Sequence, residues 1–188
     1  MEVIEKITKN GKTLAIHLDE WPENPRDAMD CLGTMLCWNR RYDMGSRADK
    51  TVRREFDPDH YQGWEELEKA VSTSLKPAVI LPVFMYEHSG VSLNTTGFSC
   101  PWDSGRVGFI LATRQQILTF FDKKRLTQEL RERAKKVLAD EVETYSSWVN
   151  GDVYGFTVTD DETDEVIDSC SGFYTNNFET LKKAAGWE

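Results

Sequence analysis

The stretch VYGFTVTDDETDEVIDSCSGF, positions 153–173, decides the fold. Residues 153–159 and 166–173 alternate apolar with polar or small side chains, the period of strands with one buried face. The acidic connection Asp160-Asp161-Glu162-Thr163-Asp164-Glu165 joins them as a hairpin, so the pair is antiparallel. Just upstream, Thr127 is placed to cap a long helix running to about Trp148. In it Leu130, Ala134, Val137 or Leu138, Val142, Tyr145 and Trp148 form one apolar stripe. Asn150-Gly151 closes that helix, glycine being the residue that takes a left-handed backbone most readily. Downstream, Asn176 with Glu179 predicts the cap of a final helix ended by Gly186.

The rest of the chain adds strands and short helices. Residues 12–19 (KTLAIHLD) alternate as a strand, and Asn24-Pro25 opens a short helix over 26–31, ended by Gly33. A short apolar run at 34–39 reads as a strand, and the polar, breaker-rich residues 46–56 as a flexible loop. A helix is expected over about 62–74 and a buried strand over 78–86 (AVILPVFMY). Pro82 within that strand cannot donate to a ladder, which predicts an edge position or a bulge. Residues 91–98 read as a returning strand, 101–105 as a turn and 107–112 as a strand. Thr113 with Gln116 forms a capping box for a helix reaching Phe121. With no repeat and no linker, the order predicts one α+β domain over 1–188. Its sheet is mostly antiparallel, the long helix packs on one face, and a hairpin plus helix follows.

Composition narrows the function classes. The net charge is −9, and the segment from Gly151 carries nine acidic residues against two lysines. Such a surface opposes direct nucleic-acid binding, which needs cations to displace counterions. It suits a basic protein groove that normally holds nucleic acid. Cys31, Cys37, Cys100 and Cys170 form no C-x-x-C pair, which fits reduced thiols in a cytoplasm. No leader and no apolar run long enough for a bilayer is seen, so a cytoplasmic protein without a membrane contact is expected.

Chemistry-bearing side chains gather at Glu87-His88-Ser89-Gly90 and Phe98-Ser99-Cys100-Pro101-Trp102-Asp103-Ser104-Gly105. His88, Cys100 and Asp103 are the residue types of a base, a thiol nucleophile and an orienting acid. The competing reading is a tight turn with Asp103 bonding its own backbone. Asp103, Asp152 and Asp168, beside strand ends, are the oxygen ligands a Mg²⁺ site would use, although a chain this acidic makes such triples by accident. Arg40, Arg41, Arg47, Arg53 and Arg54 form a basic cluster suited to anions, or to internal pairing with Asp43, Asp49 and Glu55.

Several segments resemble landmarks of a family of small proteins carried by bacteriophages, plasmids and other mobile elements. They are Asn24-Pro25-Arg26 with Leu32-Gly33-Thr34-Met35, Arg40-Arg41-Tyr42, Tyr86-Glu87-His88-Ser89-Gly90, the octapeptide from Phe98, Val107-Gly108-Phe109-Ile110 and Gly151-Asp152-Val153-Tyr154-Gly155. The resemblance spans about 21–173. It implies a setting and no catalytic residues, and small acidic proteins of that setting are often inhibitors of host defence, anti-CRISPR or anti-restriction. The resulting expectation is a binding protein that inhibits a host defence nuclease, one guided by nucleic acid in the sharpest form. Asp160, Asp161, Glu162, Asp164 and Glu165 would bear the contact, with Trp102, Tyr154 and Tyr174 as aromatic anchors. No cofactor or metal is called for. The alternatives are a small hydrolase using His88, Cys100 and Asp103 or a carboxylate-bound metal, and a protein that pairs with a second copy of itself.

Overall fold

A computed structural model describes residues 2–187. The chain forms two compact units, one of residues 24–146 and one of the segments on either side of it. Each holds its own four-stranded antiparallel sheet, and the whole is α+β.

The flanking segments build the first sheet, in the order β1-β2-β7-β8. Its strands are β1 (Val3–Lys9), β2 (Lys12–Leu18), β7 (Tyr154–Asp160) and β8 (Val166–Phe173). β1 turns into β2 through Asn10-Gly11, both at positive φ. β2 and β7 are register neighbours from Lys12↔Asp160 to Leu18↔Tyr154, although the whole 24–146 unit lies between them in sequence. Leu14, Ile16, Phe156 and Val158 pack one face of this sheet against Leu181 of α6 (Phe178–Ala184). Burying each such side chain contributes about 1.5–3 kcal/mol. The cap of α6 is Asn177, one residue later than the sequence spacing predicts, accepting from the Glu179 N–H. β1 is absent from the sequence reading because its mixed charges blur the alternation.

The 24–146 unit is built on the sheet β3-β6-β4-β5, comprising β3 (Thr34–Cys37), β4 (Pro77–Glu87), β5 (Val91–Asn94) and β6 (Ser104–Thr113). Every side chain from Val107 to Ala112 is buried, so both faces of β6 are covered. One face carries Leu36, Phe109 and Leu111 against Leu67 and Val71 of α3 (Trp64–Leu75). On the other, Gly33 leaves room for Ile110 and for Leu138 of α5 (Gln128–Asn150). The buried stripe of α5 is Leu130, Ala134, Leu138, Val142 and Tyr145, as its periodicity requires. Pro82 pairs with Phe109 of β6 on one side, and because β5 covers β4 only from Phe84 to Glu87 its other side is an edge of the sheet, as its missing donor requires.

One expectation is overturned. Residues 46–56, read as a flexible loop, contain α2 (Arg47–Arg53), with a complete capping box between Ser46 and Asp49. Asp49 is 3% exposed and Phe56 5%, so the segment is held by packing. The returning strand over 91–98 is also shorter, ending at Asn94, whose Oδ1 accepts from the Thr96 and Gly97 N–H groups. The short helix α1 (Pro25–Ala28) and the capping-box helix α4 (Arg114–Phe120) complete the unit.

Candidate functional site

The acidic connection between β7 and β8 is a built turn. Asp160 donates its N–H to the Glu165 carbonyl at 2.9 Å, and the Asp164 N–H returns to the Asp160 carbonyl at 3.0 Å. The Asp160 carboxylate accepts from the Glu162 N–H at 2.9 Å and the Thr163 N–H at 3.1 Å. Those backbone donors, chiefly Glu162, favour its charged form and hold its pKa below the ordinary value. Asp161 accepts a 2.6 Å bond from the Thr13 hydroxyl, and its N–H meets the Gly11 carbonyl at 2.9 Å. Asp164 sits at φ 55, a left-handed conformation that Asp tolerates better than most residues.

The five acids therefore divide. Asp160 and Asp161 are turn-building groups, and Lys12 lies opposite Asp160 in the register. Glu162, Asp164 and Glu165 are exposed, and among the described residues no ion pair neutralises them. Asp168 is likewise exposed on β8. Glu162, Asp164 and Glu165 are thus the acids whose side chains the turn itself does not use.

The aromatic anchors separate in the same way. Trp102 is 92% exposed at the end of the 24–146 sheet. Tyr154 is half-buried, edge-on to Phe178 at 5.0 Å, with its hydroxyl 3.4 Å from Asp152. Burial followed by the Asp152 charge raises its pKa. Tyr174 donates to the Glu23 carbonyl at 2.7 Å. Tyr154 and Tyr174 are consequently packing residues of their own unit, and only Trp102 stands open.

His88, Cys100 and Asp103 do come together. Asp103 Oδ2 lies 3.6 Å from Cys100 Sγ and 3.5 Å from His88 Nδ1. The carboxylate is the member that both others meet, so the thiol hands its hydrogen bond to an acid. A thiol nucleophile needs the base between thiol and acid. The surroundings fix this turn: Ser104 Oγ donates to the Cys100 carbonyl, and the Glu87 N–H meets the Asp103 carbonyl at 2.8 Å. Arg41 and Tyr42 both reach the Glu87 carboxylate. A shallow recess of about 540 Å³ lies here, lined by Arg41, His88, Trp102 and Asp103 among others.

Among the described residues no three His, Cys, Asp or Glu side chains are placed to hold a metal ion. In the arginine cluster, Arg53 pairs with Asp43 at 2.8 Å and Lys50 joins it at 3.0 Å. Among the described residues no helix is long and apolar enough to cross a membrane.

A buried ion network escapes the sequence reading. Arg26 lies between Asp49, at 3.0 Å and 3.2 Å, and Glu141 at 2.7 Å, and donates to the Gly33 carbonyl at 2.6 Å. Asp49 also accepts from the Met35 and Ser46 N–H groups, and Glu141 from those of Leu32 and Gly33. Burial alone would favour neutral Arg26, but the Asp49 bonds and charge outweigh it and raise its pKa. Burial raises the pKa of Glu141, with Arg26 opposing. The signals were present: Ser46 and Asp49 carry capping-box spacing, and Glu141 interrupts the apolar stripe of α5 between Leu138 and Tyr145. The segments Asn24-Pro25-Arg26 and Leu32-Gly33-Thr34-Met35 thus share a local structural reason for their pattern. A cavity of about 940 Å³ flanks the network, lined by Cys31, Gln116, Thr119 and Phe120 among others.

Comparison with protein-family models, curated proteins and solved structures gives no match to this chain.

Proposed function

We propose that this chain is a stoichiometric binding protein that docks its acidic hairpin into a basic, nucleic-acid-handling groove of a partner protein. The partner class is a host defence nuclease, guided by nucleic acid in the sharpest form, and binding inhibits it. The carrying observation is that Glu162, Asp164 and Glu165 stand exposed and, among the described residues, outside any ion pair, on a turn held by Asp160 and Asp161. Fixed negative charge on a defined scaffold complements a groove lined by Lys and Arg, and it speeds encounter more than it deepens affinity. The setting comes from the family resemblance alone.

The test is cleavage of labelled target by a panel of purified, guide-loaded bacterial nucleases with increasing amounts of this chain. The expected result is titratable inhibition that weakens steeply with salt. The triple substitution Glu162→Gln, Asp164→Asn, Glu165→Gln abolishes it, while Asp103→Asn leaves it intact. Inhibition that survives the triple substitution would refute the reading.

A second reading, hydrolysis at Cys100, draws on the convergence of His88, Cys100 and Asp103. It requires Asp103 to rotate away so that His88 can meet the thiol. Unchanged turnover of a generic thioester on Cys100→Ala would remove it.

A further inference from the structure

We infer that the open edge of β8 is a strand-docking site, and that its occupant is an extended, Lys- or Arg-bearing segment of the partner protein. This rests on the docking reading above for the partner's basic character. β8 ends the sheet, and every residue from Val166 to Gly172 is exposed. An edge strand presents a row of unpaired N–H and C=O groups that templates another strand. Proteins usually blunt such an edge with charged side chains, above all lysine, or with proline, bulges, short length or a covering element, and of these β8 has Asp168 and an irregularity on either side of its middle. β8 runs eight residues with no Lys, Arg or Pro, and exposes Val166 at 61% and Ile167 at 48%.

The middle of the edge is regular enough to accept a neighbour. Pairing is irregular between Val158 and Thr159 and between Tyr154 and Phe156. Between those points Val158↔Asp168, Thr157↔Ser169 and Phe156↔Cys170 run in step. The Asp160 N–H points to β8, since it donates to the Glu165 carbonyl. Alternation along β7 then aims Val158 and Phe156 at β8 as well, so Asp168 and Cys170 face inward and the N–H and C=O of Ser169 face the open side.

Charge selects the occupant. A second copy pairing antiparallel through Ser169 would set the two Asp168 side chains diagonally across the new pair, within roughly 7–8 Å. It would also join two chains of net charge −9. A strand with cationic side chains places opposite charge against Asp168 and beside Glu165, and its apolar positions cover Val166 and Ile167. Main-chain bonds then supply affinity and the alternate side chains supply selectivity.

The probe is a blocked nonapeptide of alternating Lys and Val, with its Glu-Val counterpart as control, against the full ¹⁵N-labelled chain. The expected result is saturable binding of the Lys peptide alone, with exchange of the Ser169 amide slowed at least about tenfold in the complex. Ser169→Pro removes only an outward donor, which an edge tolerates, and weakens binding at least tenfold without changing the circular dichroism. Should that variant misfold, the pair Val166→Lys and Ile167→Lys makes the edge repel the same peptide and gives the same loss. Lys-peptide binding with no protection at Ser169, or unaffected by these variants, overturns strand addition. A dimer of this chain that Ser169→Pro dissociates also overturns it. Nuclease inhibition lost on neutralising the turn but untouched by Ser169→Pro removes this inference and leaves the docking reading standing; inhibition unmoved by either removes the docking reading.

Discussion

Replacing Arg26 by Met removes the one cation in a buried site that holds two carboxylates. The side chains of Arg26 and Asp49 are 2% and 4% exposed and that of Glu141 12%, so the charges sit largely out of bulk water. Four hydrogen bonds vanish, two to Asp49 and one each to Glu141 and the Gly33 carbonyl. The backbone donors of Leu32, Gly33, Met35 and Ser46 remain, which keeps both carboxylates partly satisfied. Breaking one side of a buried pair costs about 3–5 kcal/mol. For a chain of this size that corresponds to a fall in Tm of roughly 6–20 °C.

The pH dependence sharpens the expectation. Burial already raises the Glu141 pKa against the pull of Arg26. Without Arg26 it rises further. A carboxyl whose folded pKa lies above its unfolded value stabilises fully below the unfolded value, and that contribution is lost as pH rises through the folded one. The deficit of Arg26→Met relative to the parent is therefore largest at neutral pH and shrinks toward about pH 4.5, near the ordinary Glu value. Glu141→Gln keeps the Arg26–Asp49 pair and removes the titrating group, so its smaller deficit moves the opposite way, narrowing as pH rises because only the parent then loses the stabilisation of a raised carboxyl. Urea unfolding at several pH values, followed by fluorescence and circular dichroism together, reads all three proteins. A deficit for Arg26→Met below about 1 kcal/mol at pH 7, the worth of a single ordinary hydrogen bond, or one independent of pH, would refute this account of the network.

Other outcomes follow from packing and exposure. A methyl group on Gly108 would overlap the Leu36 carbonyl oxygen and lie 2.8 Å from Cys37 Cα, both backbone. Gly108→Ala is expected to cost about 3 kcal/mol or more, whereas Gly105→Ala, with nothing within 4 Å, stays within about 0.5 kcal/mol; equal urea midpoints for the two would contradict the β3–β6 register. Alkylation at pH 8 followed by mass spectrometry should label exposed Cys170 first and Cys37 last, because Cys37 is fully buried and its thiol pKa is pushed up to about 12. Labelling of Cys37 as fast as Cys170 would mean that the 24–146 unit opens readily.

Local signals in the chain were legible wherever the physics is local. Thr113 and Gln116 form their box, Thr127 meets the Leu130 N–H, Gly151 takes φ 82, and the α5 stripe is buried on the predicted side. α2 was not legible, although Ser46 and Asp49 stood at the right spacing. A helix of seven residues has too little intrinsic stability to announce itself, and what holds this one is Arg26 gripping Asp49 from another segment. In the candidate site, the types His88, Cys100 and Asp103 were readable, but their order was not. Asp103 takes the middle place because the turn of Ser104 onto Cys100 and the strand-end bond from Glu87 set it there.

Read alone, the 188 residues determined the antiparallel hairpin, the helix faces and the excess of negative charge toward the carboxyl end. Those properties depend on the period of side chains along a strand or helix and on groups within a turn or two of each other. Tertiary structure alone decided which acids are occupied and which are free. Thr13 reaches Asp161 across 148 positions, and Glu141 reaches Arg26 across 115. The partner that satisfies a carboxylate is set by where distant segments pack, and no spacing along the chain encodes that distance.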